Sequence, residues 1–161
     1  MSDVAIRRAE ARDAGALAGL RYEFRATHDP PVEGRDRFVG RCARWMEPRL
    51  STAGPWRCWV AERSGRIVGA VWLQLIEKLP NPVGEPEQHA YVSSLFVEPE
   101  SRGTGLGSEL LRVCLDACLA EQVDAVILWP TPRSRSLYGR HGFAVRDDLL
   151  ERRLGPTLTG R

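Results

Sequence analysis

The chain has 161 residues, a length that corresponds to one domain with a sizeable core, since a domain of roughly 150 residues hides about 70% of its unfolded surface. Hydrophobic residues at 43% and charged residues at 27% describe a soluble globular protein and exclude a disordered one. A formal net charge of +2, with Lys78 the only lysine, is too small to imply nucleic acid, and no apolar run approaches the roughly 20 residues that a membrane span needs.

The N-terminus, Met1-Ser2-Asp3-Val4, lacks a basic segment followed by an apolar stretch, so no secretory signal is visible and a cytoplasmic location is expected. Residues 4–8 read as a short strand. Asp13 can cap a helix running to about Arg25, with Ala16, Leu17, Leu20 and Phe24 on one side. Pro30 and Pro31 break that helix. Asp36 leads a second one, in which Phe38, Cys42, Trp45 and Met46 recur at helical spacing until residues 48–55 interrupt it.

A hairpin follows, with strands at residues 56–63 and 66–77 joined by the turn signal Ser64-Gly65. Residues 78–87 hold Pro80, Pro82, Pro86 and Gly84, the composition of a loop that can wall a cleft. Residues 90–97 form another strand, which Pro99 ends. From about Thr104 to Gln122 the positions Leu106, Leu110, Val113, Ala117 and Ala120 define a helix face. Residues 124–129 resemble a strand buried on both faces. A short helix at about 133–140 stops at Gly142, as a left-handed cap requires. Residues 143–154 supply one or two further strands. The order is β-α-α-β-β-β-α-β-α-β, an α/β fold with a mixed sheet in a single domain over 1–161.

Cysteines stand at 42, 58, 114 and 118, with no Cys-x-x-Cys pair, and His28, His89 and His141 are scattered singly. Cys114 and Cys118 share a helix face. A metal site needs about four convergent ligands at recognisable spacing, so these thiols read as packing and no metal is expected.

The segment Arg102-Gly103-Thr104-Gly105-Leu106-Gly107-Ser108 runs from a strand through a glycine turn into a helix. A helix start presents unpaired N–H groups and the positive end of the macrodipole, and glycines let an oxyanion approach that backbone closely. Arg102 adds a fixed charge, so the physics supports an anion site of the pyrophosphate kind. A Walker loop would need a Gly-Lys-Ser/Thr ending that is absent here. A dinucleotide fingerprint would need glycine where Ser108 stands, and an acidic residue after the next strand, where Trp129-Pro130-Thr131 stands.

This loop resembles the GNAT superfamily of acyl-CoA-dependent N-acyltransferases, whose Arg/Gln-x-x-Gly-x-Gly/Ala signature it matches at every fixed position. Val97-x-Pro99 upstream, Leu110-Leu111 downstream and the block Leu137-Tyr138-Gly139-Arg140-His141-Gly142-Phe143 resemble the family as well, over about residues 91–154. The resemblance implies a bulge in the strand carrying Leu95, Phe96 and Val97, splayed from its neighbour at 124–129. The pantetheine arm of acetyl-CoA would enter that gap and pair with Leu95 and Val97 as an added strand. A freed N–H near Leu95 or Phe96 would polarise the thioester carbonyl, and N–H groups from Gly103, Thr104, Gly105, Leu106, Gly107 and Ser108 would hold the pyrophosphate. Thr131 stands where many relatives place an asparagine that contacts the cofactor arm. Arg133 and Arg135 are candidates for the nucleotide 3′-phosphate.

Tyr138 takes the position of the general acid, since a phenol with a pKa near about 10 is protonated at neutral pH and can donate to the leaving thiolate. For the base, Tyr91 stands near the place of a glutamate found in some relatives. His89, Ser93, Ser94 and Glu23 are candidates, and a water chain is the default. The first two helices and the 78–87 loop would frame the acceptor, a small-molecule or peptide amine whose identity the mixed charges leave open. The expected activity is acetyl transfer from acetyl-CoA to a primary amine, without nucleic acid or membrane. The alternative is a non-catalytic acyl-CoA-binding sensor or interaction module of the same fold. A homodimer through the late strands is compatible with the pattern, though no residue demands it.

Overall fold

Residues whose side chains alternate between two buried faces make the centre of the sheet. In the computed structural model, which describes residues 4–156, the strands are β1 (Val4–Arg8), β2 (Trp56–Arg63), β3 (Arg66–Glu77), β4 (Gln88–Val97) and β5 (Val126–Ile127). The ends of the expected 1–161 domain, residues 1–3 and 157–161, lie outside the described residues. The sheet order is β1-β2-β3-β4-β5, antiparallel as far as β4 and parallel between β4 and β5. Four helices cover it: α1 (Ala14–Ala26), α2 (Arg35–Ser51), α3 (Leu106–Ala120) and α4 (Arg135–Arg140). The expected mixed α/β sheet is present, and Ser64 (φ 51°) and Gly65 (φ 75°) make the tight β2–β3 turn.

One face of the sheet packs on α1 and α2 through Leu17, Leu20, Met46, Val60, Trp72 and Phe96. The other packs on α3 through Val71, Leu73, Val92, Leu106, Leu110, Cys114 and Cys118. Truncating a fully buried leucine such as Leu110 to alanine costs about 2–5 kcal/mol in cores of this kind.

An extra residue in β4 sets the geometry of everything downstream. Trp72 faces Ser94 and Leu73 faces Val92, so Ser93 is a bulge. Ala90 and Val92 point to the α3 side. Without the bulge strict alternation would continue through Ser94 and Phe96. With it, Leu95 and Val97 take the α3 side and Phe96 turns to α1.

Several boundaries differ from expectation for physical reasons. Asp13 stands at the N-cap of α1 but makes no side-chain cap bond. Its carboxylate instead accepts two bonds from Arg7, at 2.8 and 3.0 Å, and one from the Glu10 N–H at 2.8 Å. Helix α2 runs through Pro48 to Ser51, because Pro48 is exposed and the carbonyl it strands at Arg44 can turn to water. On α3 the buried stripe centres on Cys114 and Cys118 as packing residues, while Ala120 is exposed. The strand expected over 124–129 shrinks to Val126–Ile127. Residues 143–154 form no strand: with β5 so short they have no ladder to extend, and Val145, Leu149, Leu150 and Leu154 are exposed. No helix among the described residues is long and apolar enough to cross a membrane.

Candidate active site

β4 and β5 are paired at only two positions, Ala90 with Val126 and Tyr91 with Ile127. Beyond Tyr91 the strands part, so the backbone of β4 from Val92 to Val97 has no ladder partner on that side. This is the expected splay. It opens into a cleft of about 1700 Å³ lined by α1, the end of β4, the glycine loop, residues 129–137 and Arg140.

Leu95, Phe96, Val97, Arg102, Gly103, Gly105, Leu106, Gly107, Ser108 and Thr131 all line this cleft. Thr104 does not: its hydroxyl turns back to donate to the Ser101 carbonyl at 2.7 Å, bracing the loop. Gly103 (φ 74°) and Gly105 (φ 85°) occupy left-handed backbone, and a Cβ at either would meet nothing within 4 Å, which leaves an open cradle for a bulky anion. Gly105 caps α3, and the Glu109 N–H closes on its carbonyl at 3.0 Å. The N–H groups of Leu106, Gly107 and Ser108 therefore precede the helical ladder. The cradle fits a diphosphate, and the unpaired β4 edge fits an extended arm.

Positive charge converges here. Arg102 donates to the Val97 carbonyl at 2.8 Å and stands 5.3 Å from the Phe96 ring. Burial, then the charge of Arg133, pull its pKa down, the mark of two cations facing one space. Arg133, Arg135 and Arg140 line the same cleft, whereas Arg35 and Arg66 are engaged with Glu23 and Glu98 at 3.2 and 2.8 Å.

Tyr138 lines a side chamber of about 40 Å³ with Phe24, Val92, Ser93, Ser94, Leu95, Trp129, Thr131 and Ser134. Phe24, Leu95, Trp129, Thr131 and Ser134 line both spaces, so the chamber adjoins the cleft. Burial pushes the Tyr138 phenol up to about 12, with Cys114 and Tyr91 adding in the same sense. The α4 helix is fixed by hydrogen bonds from the His141 and Phe143 N–H groups to the Tyr138 carbonyl, at 3.0 and 3.1 Å.

Of the base candidates, Ser93 and Ser94 share the Tyr138 chamber and Glu23 lines the main cleft paired with Arg35. Tyr91 stacks edge-on against Trp129 at 5.1 Å. His89 sits at the far end of β4, its Nδ1 3.8 Å from Asp124. The 78–87 loop contributes none of the described lining residues; Lys78 ties it to Glu85 and Asp124 at 3.3 and 3.0 Å instead.

Three features escape sequence patterning. The Thr131 hydroxyl donates to Ser134 Oγ at 3.0 Å and so shapes the turn into α4. Ser108 Oγ lies 2.6 Å from His141 Nε2, joining the start of α3 to the end of α4. Trp129, which lines the cleft, donates to Glu151 at 2.6 Å. A single histidine inside the Leu137–Phe143 block was the only signal for the second, and the other two depend on long-range placement.

The acetyltransferase (GNAT) family pattern matches residues 21–143. A mycothiol acetyltransferase from Thermomonospora curvata is 33% identical over 129 residues, 78% of this chain and 39% of its own length. One from Thermobispora bispora is 34% identical over 115 residues, 70% of this chain and 36% of its own length. The chain thus spans less than half the length of the curated relatives it matches. Among solved structures, a predicted acetyltransferase with acetyl-CoA from Clostridium acetobutylicum superposes with a TM-score of 0.74 at 20% identity, covering 94% of this chain and 96% of that one. A GCN5-related N-acetyltransferase from Ralstonia eutropha gives 0.71 at 21% identity, covering 94% and 99%. With the family pattern spanning most of its length and the splayed strands and glycine loop in place, the chain belongs to the acetyltransferase (GNAT) family of acetyl-CoA-dependent N-acyltransferases.

Proposed function

We propose that residues 1–161 act as a single N-acetyltransferase domain that moves an acetyl group from acetyl-CoA to the primary amine of a small molecule. The observation that carries this reading is the convergence of three features: an open cradle at Gly103 and Gly105 and an unpaired strand edge at Leu95–Val97 line the cleft, and a buried phenol at Tyr138 lines the chamber that adjoins it. The printed name of the relatives, mycothiol acetyltransferase, favours a small-molecule acceptor.

Acetyl-CoA supplies an acyl group activated as a thioester. The N–H groups of Leu106, Gly107 and Ser108, with Gly103 and Gly105 leaving room, hold its diphosphate. Arg133 and Arg135 supply charge for the nucleotide phosphate. Leu95 and Val97 pair with the extended arm, and an N–H near Leu95 or Phe96 donates to the carbonyl oxygen as negative charge develops there. Thr131 acts through shape, since its hydroxyl is committed to Ser134. The acceptor enters as a neutral amine after losing a proton to water held near Ser93 and Ser94. Its nitrogen bonds to the acyl carbon, the carbon–sulfur bond breaks, and the sulfur leaves with the electron pair and takes the Tyr138 proton. The attacking nitrogen then releases its second proton to the same water, giving a neutral acetamide and free CoA, and the phenol is reprotonated from solvent.

The test is release of free CoA thiol with a panel of amines, together with the mass gain of one acetyl group in the product, for the wild type and Tyr138→Phe. Turnover that falls in the variant with CoA affinity unchanged supports the assignment. Saturable CoA binding without turnover on any amine would favour a binding module of the same fold.

A further inference from the structure

Helix α1 carries two arginines one turn apart, Arg21 and Arg25, both half-buried. The charge of Arg25 is compensated by Asp29, to which its Nη2 donates at 3.3 Å, although its Nη1 too is buried without an acceptor. Arg21 is not. It makes no ion pair with any carboxylate of the described residues, and its Nη1 is buried without a hydrogen-bond acceptor. The groups packed around it cannot balance its charge. Arg25 is a second cation, the Cys42 thiol is kept neutral by burial, and Phe24 presents its ring 5.7 Å from the guanidinium carbon. Tyr91 of β4 is the other titratable group close enough to act on its charge.

A buried lysine can shed its proton, but a guanidinium keeps its charge at any physiological pH. A cation taken out of water without a partner destabilises the fold, so a partner from outside the chain is the natural complement. The position of Arg21 indicates where that partner would come from. Phe24, against which Arg21 lies, lines both the cleft and the Tyr138 chamber. Tyr91 touches Trp129, which also lines both. Arg21 is not among the residues lining either space; it borders their shared aromatic wall at Phe24, on a flank of α1 separate from the one that meets the glycine loop.

We infer that Arg21 is a specificity-determining residue that binds an anionic group of the acceptor, and that the acceptor is an amine carrying a carboxylate, as an amino acid does. The planar fork of a guanidinium matches a carboxylate with two parallel hydrogen bonds, and a site built on such a pair discriminates against analogues that lack the partner. Polyamines and neutral amino sugars would leave Arg21 unpaired. This inference rests on the acyl-transfer reading above and narrows its acceptor.

The experiment uses matched triplets sharing one side chain: the amino acid, its amide and the decarboxylated amine. Each is assayed for CoA thiol release at saturating acetyl-CoA, with CoA affinity measured separately by calorimetry. The acid is expected to exceed its amide in kcat/KM by about tenfold or more. Arg21→Met should bring that ratio to about one, while CoA affinity is unchanged and the melting temperature is unchanged or higher, because an uncompensated cation has been removed. Arg21→Lys should retain part of the preference. An arginine held only for packing would behave differently, with a lower melting temperature in Arg21→Met and an unaltered ratio, and that result would overturn the inference. So would an amide or amine that matches the acid, a matched aminoalkyl phosphate that outperforms it, or a protein that binds CoA yet acylates no carboxylate-bearing amine. Failure to bind CoA at all would instead overturn the underlying acyl-transfer reading, and the inference with it.

Discussion

Burial at Tyr138 suits the proton-donating role proposed for it. Its ring packs against Phe143 at 5.5 Å, and the surrounding apolar wall disfavours the phenolate. A pKa raised to about 12 keeps the proton in place across the whole neutral and mildly alkaline range. Tyr138→Phe is expected to lower kcat by about 100-fold with little change in KM, measured by thiol release. The same shift bears on stability. An unfolded tyrosine titrates near about 10, so between that pH and about 12 the unfolded chain holds fewer protons than the folded one and stability falls as pH rises. Urea melts at pH 9 and 11 should show this loss in the wild type and a smaller one in Tyr138→Phe. Gly105 makes a different point. At φ 85° with open space around it, Gly105→Ala costs about 1–2 kcal/mol of backbone strain and no steric clash. Gly105→Asp adds a negative charge to the cradle proposed for the diphosphate, and calorimetry should show CoA affinity down by more than about tenfold.

Single elements carry the next level of argument. The turn between β1 and α1 is held by Asp13, whose carboxyl is pulled below its ordinary range chiefly by the hydrogen bonds from Arg7. A depressed carboxyl pKa contributes stability that is present above the ordinary carboxylate range and lost as pH falls through the folded value. Asp13→Asn should therefore cost about 2–3 kcal/mol at pH 7, and the difference from wild type should shrink as melts are taken toward pH 3. In β4, Ser93 acts through its backbone. Ser93→Ala should leave stability within about 0.5 kcal/mol, and deleting Ser93 would remove the bulge while leaving Leu95, Phe96 and Val97 on their present faces, so cooperative unfolding, read by circular dichroism, should survive the deletion.

Elements differ in how far their sequence reveals them. The hairpin at 56–77 was legible to the residue, because β-branched alternation and the Ser64-Gly65 turn are local signals. The glycine loop was equally legible, since positive-φ backbone needs glycine at fixed positions. The role of Asp13 was not: a helix cap and a distant arginine compete for one carboxylate, and only the fold decides between them. The tail at 143–154 has the composition of a strand, yet a strand exists only against a partner, and β5 offers two residues. The placing of Thr131 beside Ser134 and of Ser108 beside His141 likewise depends on two segments meeting.

At the scale of the whole molecule, a ligand that binds only the folded chain stabilises it by mass action. At 100 times its dissociation constant acetyl-CoA would add about 2.7 kcal/mol, which for a domain of this size raises the melting temperature by roughly 5–10 °C. Scanning calorimetry with increasing CoA should show that rise. The arrangement of β4 has another consequence. Sheet rims invite other chains to pair with them, and proteins guard them with charge, proline or short strands. Here the rims are β1, bearing Arg7 and Arg8, and the stub β5. The apolar run Leu95-Phe96-Val97 has an open edge too, but one facing inward, walled by helices on either side. Enclosure spares it any guarding substitution, so the stretch of backbone best suited to seeding intermolecular aggregation is kept where only a slender guest can reach it.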